Sequence, residues 1–262
     1  MRAVGRPVIA ALVVLAAVLA TSATRADARQ ASEIVRLDDI GSGARQTWVL
    51  LPSEDPPSCL VVFLHGAADP TPSRVLGWLD HLVLGEECAL VFPRYQLRAS
   101  TPIAALSGLR AGLSTGIQHV RRARYGFEAR RSPASLRTVV VGIGLGGSLA
   151  FSYAANARRW GLPVPAAIDS IFPSTGDIPG GGATSASIPR RTRVLVQVGD
   201  ENRSAAAGLR AYLAPHPASN KRFQTIRSRA GLKAVETAPL QTTDAAVNTF
   251  WSALDALIDR SG

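Results

Sequence analysis

The sequence predicts an α/β fold built on a mostly parallel β-sheet. Short apolar runs alternate with longer amphipathic stretches along the 262 residues, and hydrophobic residues make up 47% of the chain. The runs at 60–64 and 89–92 are apolar at every position, as expected for parallel strands that are buried on both faces. Alternation of strands and helices indicates crossover connections, and sites in such folds lie beyond the carboxyl ends of the strands.

The first 28 residues have the layout of a secretory signal peptide. Arg2 and Arg6 precede an apolar run over 8–20, and 26–28 reads A-D-A, an A-x-A cleavage site, with an earlier alternative that ends at Ala23. The run is shorter than the roughly 20 residues of a membrane span. We therefore expect cleavage, a secreted or cell-envelope location and no remaining transmembrane span, with an uncleaved anchor as the alternative. Residues 29–262 are then expected to form a single domain.

The remaining elements follow from apolar spacing. Apolar residues recur every three or four positions in the predicted helices, and Thr243 is a candidate cap for the last one. The strands are predicted at 48–51, 60–64, 89–92, 138–141, 166–171, 193–198 and 223–227. The helices are predicted at 73–84, 102–124, 148–160, 203–213 and 244–258.

The two cysteines of the chain precede two of the predicted strands. Cys59 comes directly before the run at 60–64, and Cys88 directly before the run at 89–92. If these strands are parallel neighbours, both thiols lie at the same edge of the sheet within bridging distance. An exported protein allows a disulfide, so we predict a Cys59–Cys88 bond, with two free thiols as the alternative. No metal centre is predicted.

The net charge is +10, and arginine supplies most of it. The stretch 94–137 holds nine arginines and one acidic residue, Glu128. Such a stretch could bind an anionic cell-envelope surface, and a solvated helix face is the plainer interpretation. Nucleic acid is not expected as a partner, because no nucleic-acid motif accompanies the charge. The composition also excludes a disordered chain, a coiled coil and a collagen.

A glycine-rich turn follows the predicted strand at 138–141. The sequence over 142–147 is G-I-G-L-G-G. One interpretation is the nucleophile elbow G-x-S-x-G, which lifts a serine above the sheet, with Gly144 in the serine's place. Another is the dinucleotide pattern G-x-G-x-x-G, with Asp169 at the end of the next strand as the ribose contact. A purely structural glycine turn is the third interpretation.

Further motifs distinguish these interpretations. They lie after predicted strands and before the last helix, and they are His65-Gly66-Ala67, Phe92-Pro93-Arg94-Tyr95-Gln96, Gly199-Asp200-Glu201-Asn202 and Ala238-Pro239-Leu240. In this order and spacing the sequence resembles exported bacterial esterase- or lipase-like members of the α/β-hydrolase superfamily over about 46–260. The resemblance implies an eight-strand sheet with the elbow after the fifth strand.

The resemblance also implies a catalytic serine, an acid and a histidine in that chain order. In this sequence the serine position is Gly144, and the histidine position is Glu236. The acid position is Asn202, with Asp200 in the same turn. All three positions of the triad therefore carry other residue types, and a glycine has no atom with which to attack a substrate.

No other residue is expected to complete a triad. Ser148 lies one helical turn beyond the elbow, and His216 follows a helix that returns the chain to the opposite edge of the sheet. Asp200 and Glu236, with His65 nearby, could form an acid–base group, although solvated polar residues are the plainer interpretation.

The resemblance leaves an oxyanion hole in place, with the amides of Ala67 and Leu145 as the candidates. His65, Asp200 and Tyr95 are further candidates for a pocket that binds a small carbonyl or anionic ligand. We therefore predict an exported binding or interaction pseudoenzyme that needs no cofactor. A weakly active carboxyl-ester hydrolase with a displaced nucleophile is the alternative.

Overall fold

A computed structural model describes residues 35–53, 55–66, 70–96, 102–123, 136–174, 185–201 and 203–260. The predicted signal peptide, residues 1–28, lies outside these ranges. The described chain forms one eight-stranded sheet. In chain order the strands are β1 (Val35–Ile40), β2 (Thr47–Pro52), β3 (Cys59–Leu64), β4 (Cys88–Pro93), β5 (Arg137–Ile143), β6 (Ala167–Ile171), β7 (Arg193–Gly199) and β8 (Lys221–Ile226).

Helices connect most of the strands. They are α1 (Leu76–Leu84), α2 (Pro102–Arg122), α3 (Leu145–Trp160), α4 (Arg203–Tyr212), α5 (Asp244–Ala246) and α6 (Ser252–Arg260). A π-helical turn, Val247–Trp251, joins α5 to α6, and we call the three together the closing helix. Short 3₁₀ turns lie at Gly43–Arg45, Pro72–Arg74, Ser185–Ser187, Ala218–Asn220 and Ala238–Leu240. Among the described residues, no helix combines the length and the apolar character needed to cross a membrane.

The sheet order is β1-β2-β4-β3-β5-β6-β7-β8. β1 and β2 pair antiparallel, as do β2 and β4, whereas every neighbouring pair from β4 through β3 to β8 is parallel. The predicted α/β fold with a mostly parallel eight-strand sheet is confirmed. β1 was not predicted, because three of its six residues, in V-R-L-D-D-I, are charged and the strand is partly exposed at the edge of the sheet.

The core has two layers, one on each face of the sheet. On one face α2, α3 and α4 cover alternate strand residues such as Val62, Val140 and Val196. On the other face α1 and the closing helix cover Val61 and Val141. Fully burying an aliphatic side chain contributes about 1.5–3 kcal/mol, so these two layers supply much of the stability of the fold.

Several element boundaries differ from their predicted positions. α3 begins at Leu145 instead of Ser148, because the helix starts directly after the turn at Gly144. The helix predicted from residue 73 begins with the 3₁₀ turn at Pro72–Arg74, since a proline fits the first turn of a helix. The predicted cap of the closing helix is confirmed, because the side chain of Thr243 accepts a hydrogen bond from the Ala246 amide at 3.3 Å.

The predicted disulfide is present. Cys59 and Cys88 are the first residues of the neighbouring parallel strands β3 and β4, and they stand opposite each other in register. Their Cα atoms are 4.6 Å apart, and both residues are buried. The bond links the two strands at the edge of the sheet where their amino ends lie.

A buried carboxyl lies inside the sheet. Asp169 is fully buried in the middle of β6, and the side-chain amide of Gln197 donates to its two carboxylate oxygens at 3.0 and 3.1 Å. Burial raises the pKa of Asp169 to about 7, and the hydrogen bond from Gln197 opposes that shift. The prediction that Asp169 ends its strand is wrong, because β6 continues to Ile171.

The raised pKa of Asp169 predicts a dependence of stability on pH. Between about pH 4 and pH 7 the folded protein binds a proton at Asp169 that the unfolded chain, with an ordinary aspartate pKa, does not bind. The free energy of unfolding therefore falls by about 1.4 kcal/mol per pH unit as the pH rises through this window. Asp169→Asn removes this contribution. The free energy of unfolding of the variant minus that of the wild type should therefore be a few kcal/mol larger at pH 8 than at pH 4.5.

Urea unfolding at the two pH values measures this difference. Asp55→Asn is the control, because Asp55 is exposed and its replacement should leave the pH profile of the wild type intact. Equal pH dependence in the wild type and in Asp169→Asn would contradict the assignment.

Candidate functional site

The glycine turn joins β5 to α3 at the carboxyl edge of the sheet. Gly144 has φ +56° and ψ −119°, a conformation that residues with a side chain rarely adopt. Its amide donates to the carbonyl of Ile171 at 2.9 Å, and its carbonyl accepts from the amides of Ser148 and Ser174. The turn is thus fixed on both sides, and it holds residue 144 in the position that a nucleophile takes in an elbow.

The carboxylate of Glu236 lies against this turn. An ideal Cβ built on Gly144 would lie 2.0 Å from Oε1 of Glu236, and one built on Gly66 would lie 2.7 Å from the same atom. Real Cβ atoms do not come so close to an oxygen, so the carboxylate occupies space that exists only because both residues are glycines. The structure therefore brings the predicted serine and histidine positions into contact.

The segment between β8 and the closing helix carries Glu236 to this place. Arg229 and Leu232 form an isolated antiparallel bridge, and the Ala234 amide donates to the hydroxyl of Ser228 at 3.1 Å. Asp200, directly after β7, accepts a hydrogen bond from the Ser228 amide at 3.3 Å. Asp200 therefore supports the start of the segment that ends at Glu236.

His65 and Tyr95 form a buried, stacked pair of rings beside Gly66. Both are buried, and their rings stack with centroids 4.0 Å apart and an interplanar angle of 5°. The Tyr95 hydroxyl donates to the carbonyl of His65, and Nδ1 of His65 lies 2.6 Å from the carbonyl of Gly66. Burial raises the pKa of Tyr95 well above its ordinary value, and the negative charge of Glu236 raises it further. These contacts fix the backbone at His65 and Gly66.

The amino end of α3 supplies the electrostatics of the site. Leu145 is the first residue of this 16-residue helix, and Gly144 is its N-cap. The first amides of a helix have no partner within the helix, and the helix dipole favours negative charge there. Glu236 is exposed to solvent, but its carboxylate reaches this end of the helix. Two other predicted site residues, Ala67 and Asn202, lie outside the described residues.

Comparison with solved structures finds esterases and a dienelactone hydrolase. Carboxyl esterase 2 from the mycorrhizal fungus Tuber melanosporum has a TM-score of 0.62 at 14% identity, with 87% of each chain covered. Esterase B from Lactobacillus Rhamnosis has 0.60 at 14% identity, with 96% of each chain covered. The dienelactone hydrolase from Anabaena variabilis has 0.59 at 15% identity, with 86% of this chain and 97% of its own covered. The chain has the α/β-hydrolase fold.

No protein-family model and no curated protein sequence matches the chain. Identities of 14–15% support the fold and leave the chemistry to be argued from the site itself. In an α/β-hydrolase fold the reaction takes place above the elbow, which is where Gly144, Gly66 and Glu236 meet in this chain.

The other serine and histidine candidates lie elsewhere in the α/β-hydrolase fold. Ser148 is buried, and its hydroxyl donates to the carbonyl of Ser174 at 2.8 Å. His216 is buried with Nε2 2.8 Å from the carbonyl of Thr192, directly before β7 and therefore at the amino edge of the sheet. Burial lowers the pKa of His216, which favours its neutral form.

The dinucleotide interpretation is wrong about Asp169. That side chain is fully buried within the sheet and bonded to Gln197, so it cannot reach a ribose at the edge. The described arginines of 94–137 also do not form one patch. Arg94 follows β4 at the carboxyl edge, whereas Arg137 begins β5 at the amino edge. Arg110, Arg121 and Arg122 are exposed on α2.

Sequence reasoning missed two contributors to the site, Gly66 and Ser228. Gly66 was part of the His65-Gly66-Ala67 motif, but only the position of the Glu236 carboxylate shows why a glycine is needed there. No sequence signal pointed to Ser228, whose amide and hydroxyl connect Asp200 to Ala234.

Replacing Gly144 by serine should destabilise the protein, in part through Glu236. The left-handed φ costs a residue with a side chain about 1–3 kcal/mol, and the new Cβ must displace the Glu236 carboxylate. Because Glu236 is exposed and can rotate away, we expect this second contribution to be smaller, about 0.5–1 kcal/mol. Urea unfolding of Gly144→Ser, Glu236→Ala and the double variant measures the contribution of Glu236 as the coupling free energy between the two substitutions.

Gly161 provides the matched control for backbone strain alone. Its φ is +67°, and an added Cβ would have no neighbour within 4 Å. Gly161→Ala should cost about 1–2 kcal/mol whether or not Glu236 is replaced. Strict additivity of Gly144→Ser and Glu236→Ala would show that the carboxylate does not occupy the elbow.

Proposed function

We propose that this chain is an exported pseudoenzyme of the α/β-hydrolase fold that acts by binding. The observation that carries the proposal is the carboxylate oxygen of Glu236 at 2.0 Å from the ideal Cβ position of Gly144. The residue at the elbow has no nucleophilic atom, and the residue at the base position fills the space in which a nucleophile would stand.

Geometry argues against Glu236 acting as the base of a serine. A general base must lie about 2.6–3.2 Å from the atom whose proton it takes. A carboxylate oxygen 2.0 Å from the Cβ position leaves no room for a hydroxyl between the two. Glu236 is better described as an anionic group of the chain itself that lies at the amino end of α3, where the helix dipole stabilises it.

The same carboxylate bears on the class of ligand. An anionic ligand that approached Leu145 would meet the negative charge of Glu236 at short range, which disfavours it. We therefore propose a small, neutral, carbonyl-containing ligand, with the amides of Leu145 and Ala67 as hydrogen-bond donors. The exposed arginines of α2 are the proposed contact with an anionic cell-envelope surface.

A second candidate function is weak carboxyl-ester hydrolysis. The esterase-like fold favours it, and so does an exposed carboxylate beside the helix end, where Glu236 could activate a water molecule as a general base. This chemistry would need neither a serine nor a histidine, so it can be separated experimentally from a displaced triad.

Export is supported by the layout of residues 1–28 and by the Cys59–Cys88 disulfide, since such bonds persist in oxidising compartments. Expressed in a bacterium from its own Met1, the chain should be recovered outside the cytoplasm with Arg29 as its first residue, as N-terminal sequencing would show. Ala28→Arg should block cleavage and serves as the control. Recovery of uncleaved wild-type chain in the membrane fraction would contradict the assignment and favour an anchor.

Activity assays test the pseudoenzyme proposal. The purified protein should hydrolyse short- and medium-chain p-nitrophenyl esters no faster than a heat-inactivated control, and a fluorophosphonate probe should not label it. Gly144→Ser should also be inactive, because Glu236 remains and no histidine faces the new serine. Gly144→Ser with Asn202→Asp and Glu236→His supplies all three residue types and should take up the probe.

Three outcomes would overturn parts of this account. Wild-type turnover with probe labelling would mean that another serine is activated, and peptide mapping would identify it. Wild-type turnover without labelling that is lost in Glu236→Gln would establish the carboxylate as a general base. Robust turnover by Gly144→Ser alone would mean that a base other than the residue at position 236 reaches the elbow.

A further inference from the structure

A cluster of three metal-ligating side chains lies at the amino edge of the sheet, away from the elbow. His81 comes from the last turn of α1, Glu86 from the turn before β4, and Asp255 from the first turn of α6. One ligating atom from each lies within 4.8 Å of the other two, and all three residues are half-buried. Nε2 of His81 is 3.1 Å from both carboxylate oxygens of Asp255.

Packing orients two of these residues. The ring of His81 contacts Trp251 at 5.5 Å between centroids, and Trp251 stacks on the buried Trp78 at 5.8 Å. The backbone of Glu86 is held from the strand side, because the Ser58 hydroxyl donates to its carbonyl at 3.1 Å directly beside the disulfide. The ligands are therefore set on elements whose positions the core fixes.

The charge at this place favours a cation. Two of the three ligating side chains are carboxylates and one is a histidine, so the cluster holds an excess of negative charge. A second histidine–aspartate pair in the molecule lacks this excess. His119 lies 2.7 Å from Asp38, but Arg36 stands 2.9 Å from the same carboxylate, and among the described residues no third metal-ligating side chain joins this pair.

We propose that His81, Glu86 and Asp255 form a binding site for a divalent cation of the zinc type. Zinc accepts imidazole nitrogen and carboxylate oxygen together, whereas magnesium and calcium prefer oxygen ligands alone. Three protein ligands leave a fourth position open to water, since the site is half-exposed. Both cysteines form the disulfide, so no thiolate competes for the metal.

Only a small movement of the ligand side chains is needed for zinc to bind. Tetrahedral zinc at about 2.0–2.2 Å from its ligands places those atoms about 3.4 Å apart. His81 and Asp255 already stand at about this separation, so rotation of the longer Glu86 side chain completes the set. Bound metal would fasten the closing helix to α1 and to the turn before β4. The sequence predicted no such site, because residues 81, 86 and 255 meet only in the folded chain.

Zinc titration tests the site. Tag-free protein, first treated with a chelator, should bind one equivalent of Zn²⁺ by isothermal titration calorimetry, and Zn²⁺ should raise its melting temperature. Glu86→Gln and His81→Asn should each weaken zinc binding at least tenfold and abolish the thermal shift. Glu86→Gln is the sharper variant, because it leaves the His81–Asp255 pair in place.

His119→Asn is the matched control, since it removes a half-buried histidine of the other aspartate pair and should bind zinc as the wild type does. Equal zinc affinity in the wild type and in Glu86→Gln would overturn the proposal and leave His81 and Asp255 as a simple ion pair. The same conclusion would follow if the wild type bound no zinc.

Discussion

Parallel neighbouring strands can be joined only by crossovers, and this constraint decides which residues of the chain meet. From β4 through β3 to β8 every neighbouring pair of strands is parallel, so all of these strands deliver their following segments to one edge of the sheet. Gly66, Gly144 and Glu236 meet there although they are distant in the chain. The opposite edge collects the amino ends, where the disulfide, His216 and the cluster at His81 lie.

At the carboxyl edge the chain has the strained backbone of a nucleophile elbow, but the residue at the position of the nucleophile is a glycine. Glycine adopts the left-handed φ of residue 144 without the steric penalty of a side chain, and its bare surface admits a carboxylate. In a working triad the strain serves to expose a nucleophile. In this chain the same geometry places the carboxylate of Glu236 against the first turn of a helix, and our proposal of a binding role rests on this contact.

The face under the closing helix carries the other unusual polar groups. Asp169 lies between Ala167 and Ile171, so by strand alternation it points to the same face as they do. Burial raises its pKa, and the hydrogen bonds from Gln197 lower that shift in part. The cluster at His81 joins the same helix to α1 at its far end. Stability and metal binding therefore involve this face, separately from the elbow.

Local pattern alone determined the strand–helix alternation and the elbow-like turn, because apolar spacing and glycine turns act over a few residues. The pairing of Cys59 with Cys88 was predicted on the condition that their strands are parallel neighbours, and the tertiary structure meets that condition. Local pattern failed at β1, where edge exposure permits polar residues, and at Asp169, whose burial depends on neighbouring strands. Only the tertiary structure decided that the Glu236 carboxylate rests on two glycines. The reason is physical: that contact depends on how the crossovers and the segment after β8 bring distant residues to one edge.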